Sequence, residues 1–215
     1  MQYEALWDIQ SDDSSIVTHL AWSSWTCMPA NSFLAAATYD GAVHEVEISP
    51  SPSKGTTLTL GKSQTLLPKQ RIPVSKLVWA QMERSLALTI AKSGSLTVSV
   101  RSGLAVAPVI VSCRHDNISP VTAILPSLNQ NDRDLDIILV AQLLPILKFR
   151  LSPCDPSYNL ESLGPDRRLV DFLREKLSMH TIAGTKSFMK IYGAIALYGN
   201  AILSFFYEYV LHHVL

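Results

Sequence analysis

The stretch that decides the fold begins with Val17-Thr-His-Leu-Ala-Trp-Ser23. It continues with Ser32-Phe-Leu-Ala-Ala-Ala-Thr-Tyr-Asp-Gly41 and then Ala42-Val-His-Glu-Val-Glu-Ile48. Short apolar runs with polar interruptions predict three successive strands here. The first strand recurs as Val74-Ser-Lys-Leu-Val-Trp-Ala80, where each apolar position matches, and more faintly as Val121-Thr-Ala-Ile-Leu-Pro-Ser127. Repetition of one supersecondary unit is typical of repeat architectures, and a repeated strand triplet predicts a β-propeller.

Five residues are predicted to be structural anchors of these units. Trp22 and Trp79 hold the same register in two units, so both are expected in the core. Asp40-Gly41 suits a tight hairpin because glycine takes positive φ at little steric cost, and Gly94 holds the matching turn of the second unit. Trp25 lies just outside the register of Trp22, which favours an exposed contact with a partner.

The whole chain, residues 1–215, is predicted to be a single all-β domain, a partial WD40-like β-propeller of about three and a half blades. The predicted divisions are blade 1 at about 14–60, blade 2 at about 72–112, blade 3 at about 118–152, an inserted amphipathic helix at about 166–180 and a partial blade 4 at about 184–215. This count does not close a ring of about six or seven blades, so the sequence is expected to be a fragment or a truncated product, or to depart in its last stretch from the sequence that would continue the ring.

The composition indicates a globular protein that selects partners by shape. Hydrophobic residues make up 47% of the chain and charged residues 17%, and the formal net charge is zero. General affinity for nucleic acid or an anionic membrane is therefore not expected. Cys27, Cys113 and Cys154 have neither disulfide-framework nor zinc spacing, and the amino terminus does not resemble a secretory signal. A cytosolic or nuclear location is the expectation.

No catalytic, cofactor or metal site is predicted. Gly55-Thr-Thr-Leu-Thr-Leu-Gly-Lys-Ser63 ends like a P-loop, but five residues separate its glycines instead of four, and Pro68 opposes a following helix. The six histidines include no pair at ligand spacing with a third donor nearby. The carboxylates of Asp132, Asp134 and Asp136 are interpreted as a solvated turn, because acid–base chemistry would need a buried carboxyl.

The carboxyl end has two interpretations. As a partial blade, it forms two strands joined by a turn at Tyr198-Gly-Asn200. As a membrane segment, Ile191 to Tyr207 is 17 residues without a charge, at the lower limit for spanning. Gly199-Asn200 in its middle argues against insertion, so the blade is preferred and membrane association is not expected. A small tail-anchored membrane protein using residues 191–207 remains the alternative function.

Three stretches of this sequence resemble a known family. They are His19-Leu-Ala-Trp-Ser-Ser-Trp25, Leu34-Ala-Ala-Ala-Thr-Tyr-Asp-Gly41 and above all Gly184-Thr-Lys-Ser-Phe-Met-Lys-Ile-Tyr-Gly193 leading to Tyr198-Gly-Asn200. They look like the amino-terminal WD40 domain of fungal transcription factor IIIC, in its delta or ninety-kilodalton-type subunit. The resemblance covers most of the chain as a pattern of blades, only residues 184–200 are specific, and the match fades after Asn200.

The resemblance implies a function as well as a fold. In that family the propeller is a non-enzymatic assembly platform in the complex that recruits RNA polymerase III machinery to transfer RNA gene promoters. It implies a nuclear location, other subunits of the transcription factor complex as partners, contact with DNA only through those partners, and no cofactor. Acetyltransferase activity has been attributed to some members, but this sequence has no recognisable acetyl-coenzyme-A loop.

Overall fold

The described part of the chain is all-β, as the sequence predicts. The computed structural model describes residues 16–23, 32–50, 58–102, 106–116, 118, 120–129, 133–141, 146–168, 170–171, 175, 185–197 and 202–213. Fourteen strands occur among these residues, and every pairing between them is antiparallel.

Twelve of these strands form three four-stranded sheets, each a meander whose strands neighbour one another in chain order. Sheet 1 consists of β1 (Val17–Trp22), β2 (Ser32–Thr38), β3 (Val43–Pro50) and β4 (Leu58–Leu67). Sheet 2 consists of β5 (Val74–Met82), β6 (Ser85–Lys92), β7 (Ser95–Arg101) and β8 (Val109–Arg114). Sheet 3 consists of β9 (Val121–Leu128), β10 (Leu135–Ala141), β11 (Ile146–Cys154) and β12 (Ser157–Pro165). The last pair, β13 (Thr185–Leu197) and β14 (Ile202–His213), is sheet 4.

The sheets pack on one another in chain order through their first strands. Strand β1 lies beside β5, β5 beside β9, and β9 beside β13. One apolar cluster joins sheets 1 and 2 and includes Leu88 and Ile90 of β6, whereas another joins sheets 2 and 3 and includes Ala87 and Ala91 of the same strand. Successive side chains of a strand point to opposite faces. Sheet 2 is therefore covered on both faces, and β6 is buried at every position.

Two sheets extend beyond their predicted limits. Sheet 1 continues through β4 to Leu67, past the predicted end near residue 60. Sheet 3 gains a fourth strand, β12, past the predicted end near residue 152. Pro153 lies near the end of β11 and is paired with Tyr158, and Asp155-Pro156 lies in the turn before β12, so pairing continues past both prolines. The alternation of half-buried Tyr158 and Leu160 with exposed neighbours is the sequence signal for this strand.

The segment at 166–180 lies mostly outside the described residues. Its described part includes residues with helical backbone, and the Val170 amide donates to the Asp166 carbonyl at 2.9 Å, as in one helical turn. The amphipathic helix over the full segment stays a prediction.

The carboxyl-terminal stretch from Ile191 to Tyr207 lies in strands β13 and β14, with residues 198–201 outside the described part. These strands pair antiparallel from Thr185 with His213 to Leu197 with Ile202. A membrane anchor would need the same residues as one helix. Within the described ranges, no helix is long and apolar enough to cross a membrane.

Candidate interaction surface

A β-bulge recurs near the start of the first strand in sheets 1, 2 and 3. The pairing register shifts between Val17 and His19 and between Val74 and Lys76. In sheet 3, Val121 and Ala123 pair with the adjacent residues Ala141 and Val140, so Thr122 is skipped. The skipped residue carries a hydroxyl each time, and it donates to a carbonyl of the next strand: Thr18 to Ala37 at 3.3 Å, Ser75 to Ala91 at 3.0 Å and Thr122 to Val140 at 3.1 Å. A bulge leaves one residue outside the ladder, so the hydroxyl supplies a hydrogen bond where regular pairing is interrupted.

The full repeat is therefore Val-Ser/Thr-x-Leu/Ile, in which the hydroxyl is as regular as the apolar residues. The apolar positions of the repeat were recognised from the sequence and the hydroxyl was not, although Thr18, Ser75 and Thr122 stand in register in the printed sequence.

Removing one of these hydroxyls tests its role in the bulge. We expect Thr122→Val, which keeps the shape of the side chain, to lower the free energy of unfolding by about 1 kcal/mol in urea denaturation. A loss below the error of that measurement would show that the bulge does not depend on this hydrogen bond.

The bulge places equivalent apolar side chains on the same face of each first strand, but the three faces differ in burial. In sheet 2, Val74 and Leu77 are 3% and 5% exposed and pack against sheet 1. In sheet 3, Val121 and Ile124 are similarly buried against sheet 2. In sheet 1, Val17 and Leu20 are 42% and 63% exposed. Each later sheet therefore buries this face on the sheet before it, and none of the described sheets precedes sheet 1.

The two matched tryptophans differ for the same reason. Trp79 is half-buried between sheets, its indole N–H donates to the Ala21 carbonyl at 3.1 Å, and its ring centroid lies 6.1 Å from that of Phe33. Trp79 thus connects β5 to sheet 1. Trp22, which the register places in the core, is 46% exposed because it lies on the first strand of the series. Trp25 lies outside the described residues.

The Asp40-Gly41 turn is a contact between sheets as well as a hairpin. Hydrogen bonding from the Thr38 hydroxyl, with further bonds from the turn, holds the pKa of Asp40 below its usual range. Gly41 has φ of +80°, and a Cβ added to it would lie 2.5 Å from the carbonyl oxygen of Ile72. The ammonium of buried Lys92 in sheet 2 donates to the Gly41 carbonyl at 2.7 Å.

Gly94 holds the matching turn of sheet 2, with φ of +77°. Nothing lies within 4 Å of a Cβ added there. The two predicted turn glycines therefore share a backbone conformation that favours glycine, but only Gly41 is also enclosed by its surroundings.

A buried ion pair joins sheets 1 and 2 beside these contacts. The Arg101 guanidinium of β7 pairs with the Glu45 carboxylate of β3, and their side chains are 7% and 3% exposed. Arg101 also lies 4.7 Å from the centroid of the Phe33 ring, and the Gln64 amide donates to Glu45 at 3.0 Å. A cleft of about 180 Å³ adjoins the pair and is partly lined by Lys62. No local pattern predicts this pair, because its members are far apart in the chain.

Asp136 also lies in a structural ion pair and not in the solvated turn that the sequence suggested. It is 8% exposed on β10, where Arg150 Nε donates to its carboxylate at 2.8 Å and Lys148 Nζ lies 2.8 Å away. Burial alone would raise the pKa of Asp136, but the two cations outweigh burial and hold the pKa below its usual value. Asp134 is half-buried just before the strand, and Asp132 lies outside the described residues.

The depressed pKa of Asp136 gives a pH-dependent prediction. A carboxylate with a lower pKa in the folded state contributes stability that is fully present above its unfolded pKa of about 3.9 and is lost as pH falls through the folded value. Asp136→Asn is expected to lower the free energy of unfolding by about 2 kcal/mol at pH 7, and by progressively less below about pH 4. Urea denaturation of both proteins over a pH series measures this. An unchanging difference down to the acid end would contradict the assignment.

The other chemical motifs do not assemble into a reactive site in the described part. Gly61, Lys62 and Ser63 lie inside strand β4, whereas a P-loop places these residue types at the start of a helix. Among the described residues, no group of three or more His, Cys, Asp or Glu side chains could hold a metal ion.

The chain has no match among the protein-family models and no match among curated proteins.

Proposed function

We propose that the chain is a non-enzymatic interaction scaffold built as a WD40-like β-propeller. The observation that supports this most is the repeated first strand, which has the same bulge, the same bonded hydroxyl and the same pair of apolar residues in sheets 1, 2 and 3. Equivalent first strands lying side by side are the arrangement expected when blades surround a central axis. In this proposal sheets 1 to 3 are complete blades, and sheet 4 belongs to a fourth.

The positions of the buried charged side chains favour a protein that binds partners at its surface over an enzyme with a reactive pocket. The buried ion pair of Glu45 and Arg101 links two sheets, and Asp136 pairs with cations of the adjacent strand. Both arrangements serve packing. The cleft beside Glu45, about 180 Å³, is smaller than the roughly 300–1,000 Å³ of ordinary small-molecule sites.

The more specific proposal is that the scaffold is a nuclear subunit of the general transcription factor complex of RNA polymerase III. Its support is the residue resemblance, which is specific only at 184–200. In this proposal the partners are other subunits of that complex at transfer RNA gene promoters, and DNA is contacted only through them. The formal net charge of zero agrees with indirect contact, because direct binding to the phosphate backbone relies on a basic surface.

Native affinity purification tests both levels of the proposal. The tagged chain is expressed in its own cells, purified under low-salt conditions, and compared with a tagged, unrelated protein of equal size. Recovery of other RNA polymerase III factor subunits is the expected result. Recovery of a different, reproducible set of proteins would contradict the specific proposal and retain the scaffold. Recovery of nothing beyond the control, from protein shown to be folded by circular dichroism, would contradict both.

A further inference from the structure

Strand β8 forms a regular outer edge of sheet 2. It pairs with β7 from Ser95 with Arg114 to Val100 with Val109, and the register does not shift between these pairs. The outer strands of sheets 1 and 3 are irregular, because β4 has two register shifts against β3 and β12 has one against β11. Bulges discourage an edge strand from pairing with another chain. Of these three outer strands, β8 is therefore the one whose backbone is best suited to accept a further strand.

The outward backbone groups of β8 belong to alternate residues. The amide of His115, directly after the strand, donates to the carbonyl of Gly94 in the sheet 2 turn at 3.1 Å. Along an antiparallel strand, successive residues direct their N–H and C=O groups alternately to one neighbour and to the other side. The residues that face away from β7 are Ile110, Ser112 and Arg114. In the described part of the chain, no backbone group pairs with these three residues.

The side chains of the same three residues indicate what an added strand would carry. Ile110 is 42% exposed, and Ser112 and Arg114 are exposed on the same face of β8. The Arg114 guanidinium has no ion pair among the residues that the structure describes. Residues directly opposite one another in antiparallel strands stabilise the pair when both are apolar or when their charges are opposite. A complementary antiparallel segment therefore has a carboxylate opposite Arg114 and, four residues later, an apolar side chain opposite Ile110.

We propose that β8 is a docking edge for an extended segment of a partner protein, which adds a fifth strand to sheet 2 and carries Asp or Glu four residues before an apolar residue. Backbone hydrogen bonds supply affinity in this mode of binding, and the alternate side chains supply specificity. A second copy of the chain fits less well, because two β8 strands paired about Ser112 place Arg114 opposite Ile110 and bring no carboxylate. The inference rests on the interaction scaffold proposed above and names the kind of segment that it binds.

Fluorescence anisotropy of a labelled ten-residue peptide, titrated with the full chain, tests the proposal. The peptide is rich in threonine, which favours extended backbone, and it has one glutamate four residues before one isoleucine. We expect a Kd below about 1 mM. Methylating the backbone nitrogen of the residue midway between the two, which faces β8, should raise the Kd about 10-fold. Methylating the next nitrogen, which faces away from β8, should leave the Kd unchanged.

Ser112→Pro makes the corresponding test on the protein. Proline removes the outward N–H at this position, and it is tolerated on an edge strand where that N–H faces solvent. Ser112→Ala is the matched control, since it also loses the hydroxyl contact with Thr97 at 2.9 Å but keeps the N–H. We expect the Kd of Ser112→Pro to be about 10-fold above that of Ser112→Ala. Circular dichroism establishes that both variants are folded.

Reversing one charge tests the register of the added strand. Arg114→Glu should raise the Kd of the glutamate peptide about 3-fold, and a peptide with lysine in place of glutamate should recover the loss. Failure of the lysine peptide to recover it would contradict the pairing of Arg114 with a carboxylate.

Three other results would overturn the docking edge. They are no binding of the peptide, equal Kd values for the two methylated peptides, and equal Kd values for the two Ser112 variants. Self-association of the chain that Ser112→Pro abolishes in sedimentation equilibrium would identify a second copy as the occupant and would also overturn the proposal. A chain that binds none of the peptides but recovers partner proteins in the affinity purification would overturn the docking edge alone and retain the scaffold.

Discussion

Replacing Gly41 by alanine is expected to lower the free energy of unfolding by about 4 kcal/mol. Positive φ costs an L-residue about 1–2 kcal/mol, and overpacking typically costs about 1–3 kcal/mol more. Both apply at Gly41, where an added Cβ would lie 2.5 Å from the Ile72 carbonyl oxygen and 2.9 Å from that of Gln70. Backbone atoms cannot rotate away as a side chain would, so the junction between sheets 1 and 2 must shift.

Gly94→Ala is the matched control for this prediction. Gly94 has nearly the same φ, but nothing lies within 4 Å of an added Cβ. Only the backbone cost then applies, and we expect a loss of about 1 kcal/mol. Urea denaturation of the two variants beside the original protein measures the difference. Equal losses would show that the Asp40-Gly41 turn does not pack against the segment before sheet 2.

Replacing Arg101 by methionine is expected to destabilise the protein by about 3–5 kcal/mol, because it leaves the Glu45 carboxylate buried without its cation. The side chains of this pair are 7% and 3% exposed, so water cannot readily take the place of the guanidinium. The loss of the contact between Arg101 and the Phe33 ring adds to the effect. Urea denaturation at pH 7 gives the magnitude.

The double variant Glu45→Gln with Arg101→Met separates a buried charge from lost packing. It removes both charges, and replacing both partners of a buried pair is often nearly neutral. We expect it to recover most of the stability lost in Arg101→Met. Arg150→Met is the matched control in a more exposed pair, since that side chain is 34% exposed, and its expected cost is about 1 kcal/mol. A double variant no more stable than Arg101→Met would contradict the assignment of the loss to an uncompensated charge.

The sequence predicted those features that depend on local pattern. The strand order of the first two units, the turns at Gly41 and Gly94, and the all-β class all follow from apolar alternation and glycine placement. The sequence analysis did not predict strand β12, although the alternation of Tyr158 and Leu160 with exposed neighbours is a local pattern. The hydroxyl of the bulge was missed although it is equally local, because only apolar residues were compared.

The contacts between sheets could not be predicted from local pattern. Lys92 bonds to Gly41, and Arg101 to Glu45, across long separations that no spacing rule connects. Trp22 and Trp79 make the point most clearly, because their neighbouring residues match and their burial does not. Burial depends on whether another sheet precedes the strand, which is a property of the whole arrangement. A sequence repeat therefore predicts the strands of each repeated sheet better than it predicts how deeply the residues of any one sheet are buried.

Nuclear Overhauser contacts between methyl groups test most directly the claim that the sheets pack in series. We expect contacts from Leu77 to Val43, joining sheets 2 and 1, and from Ile124 to methyl groups of sheet 2. We expect no contact within one chain between Val43 in sheet 1 and Leu139 in sheet 3, and mixing labelled with unlabelled chains separates contacts within a chain from those between chains. Direct contacts between sheets 1 and 3 within one chain would indicate a sandwich and would contradict the propeller arrangement.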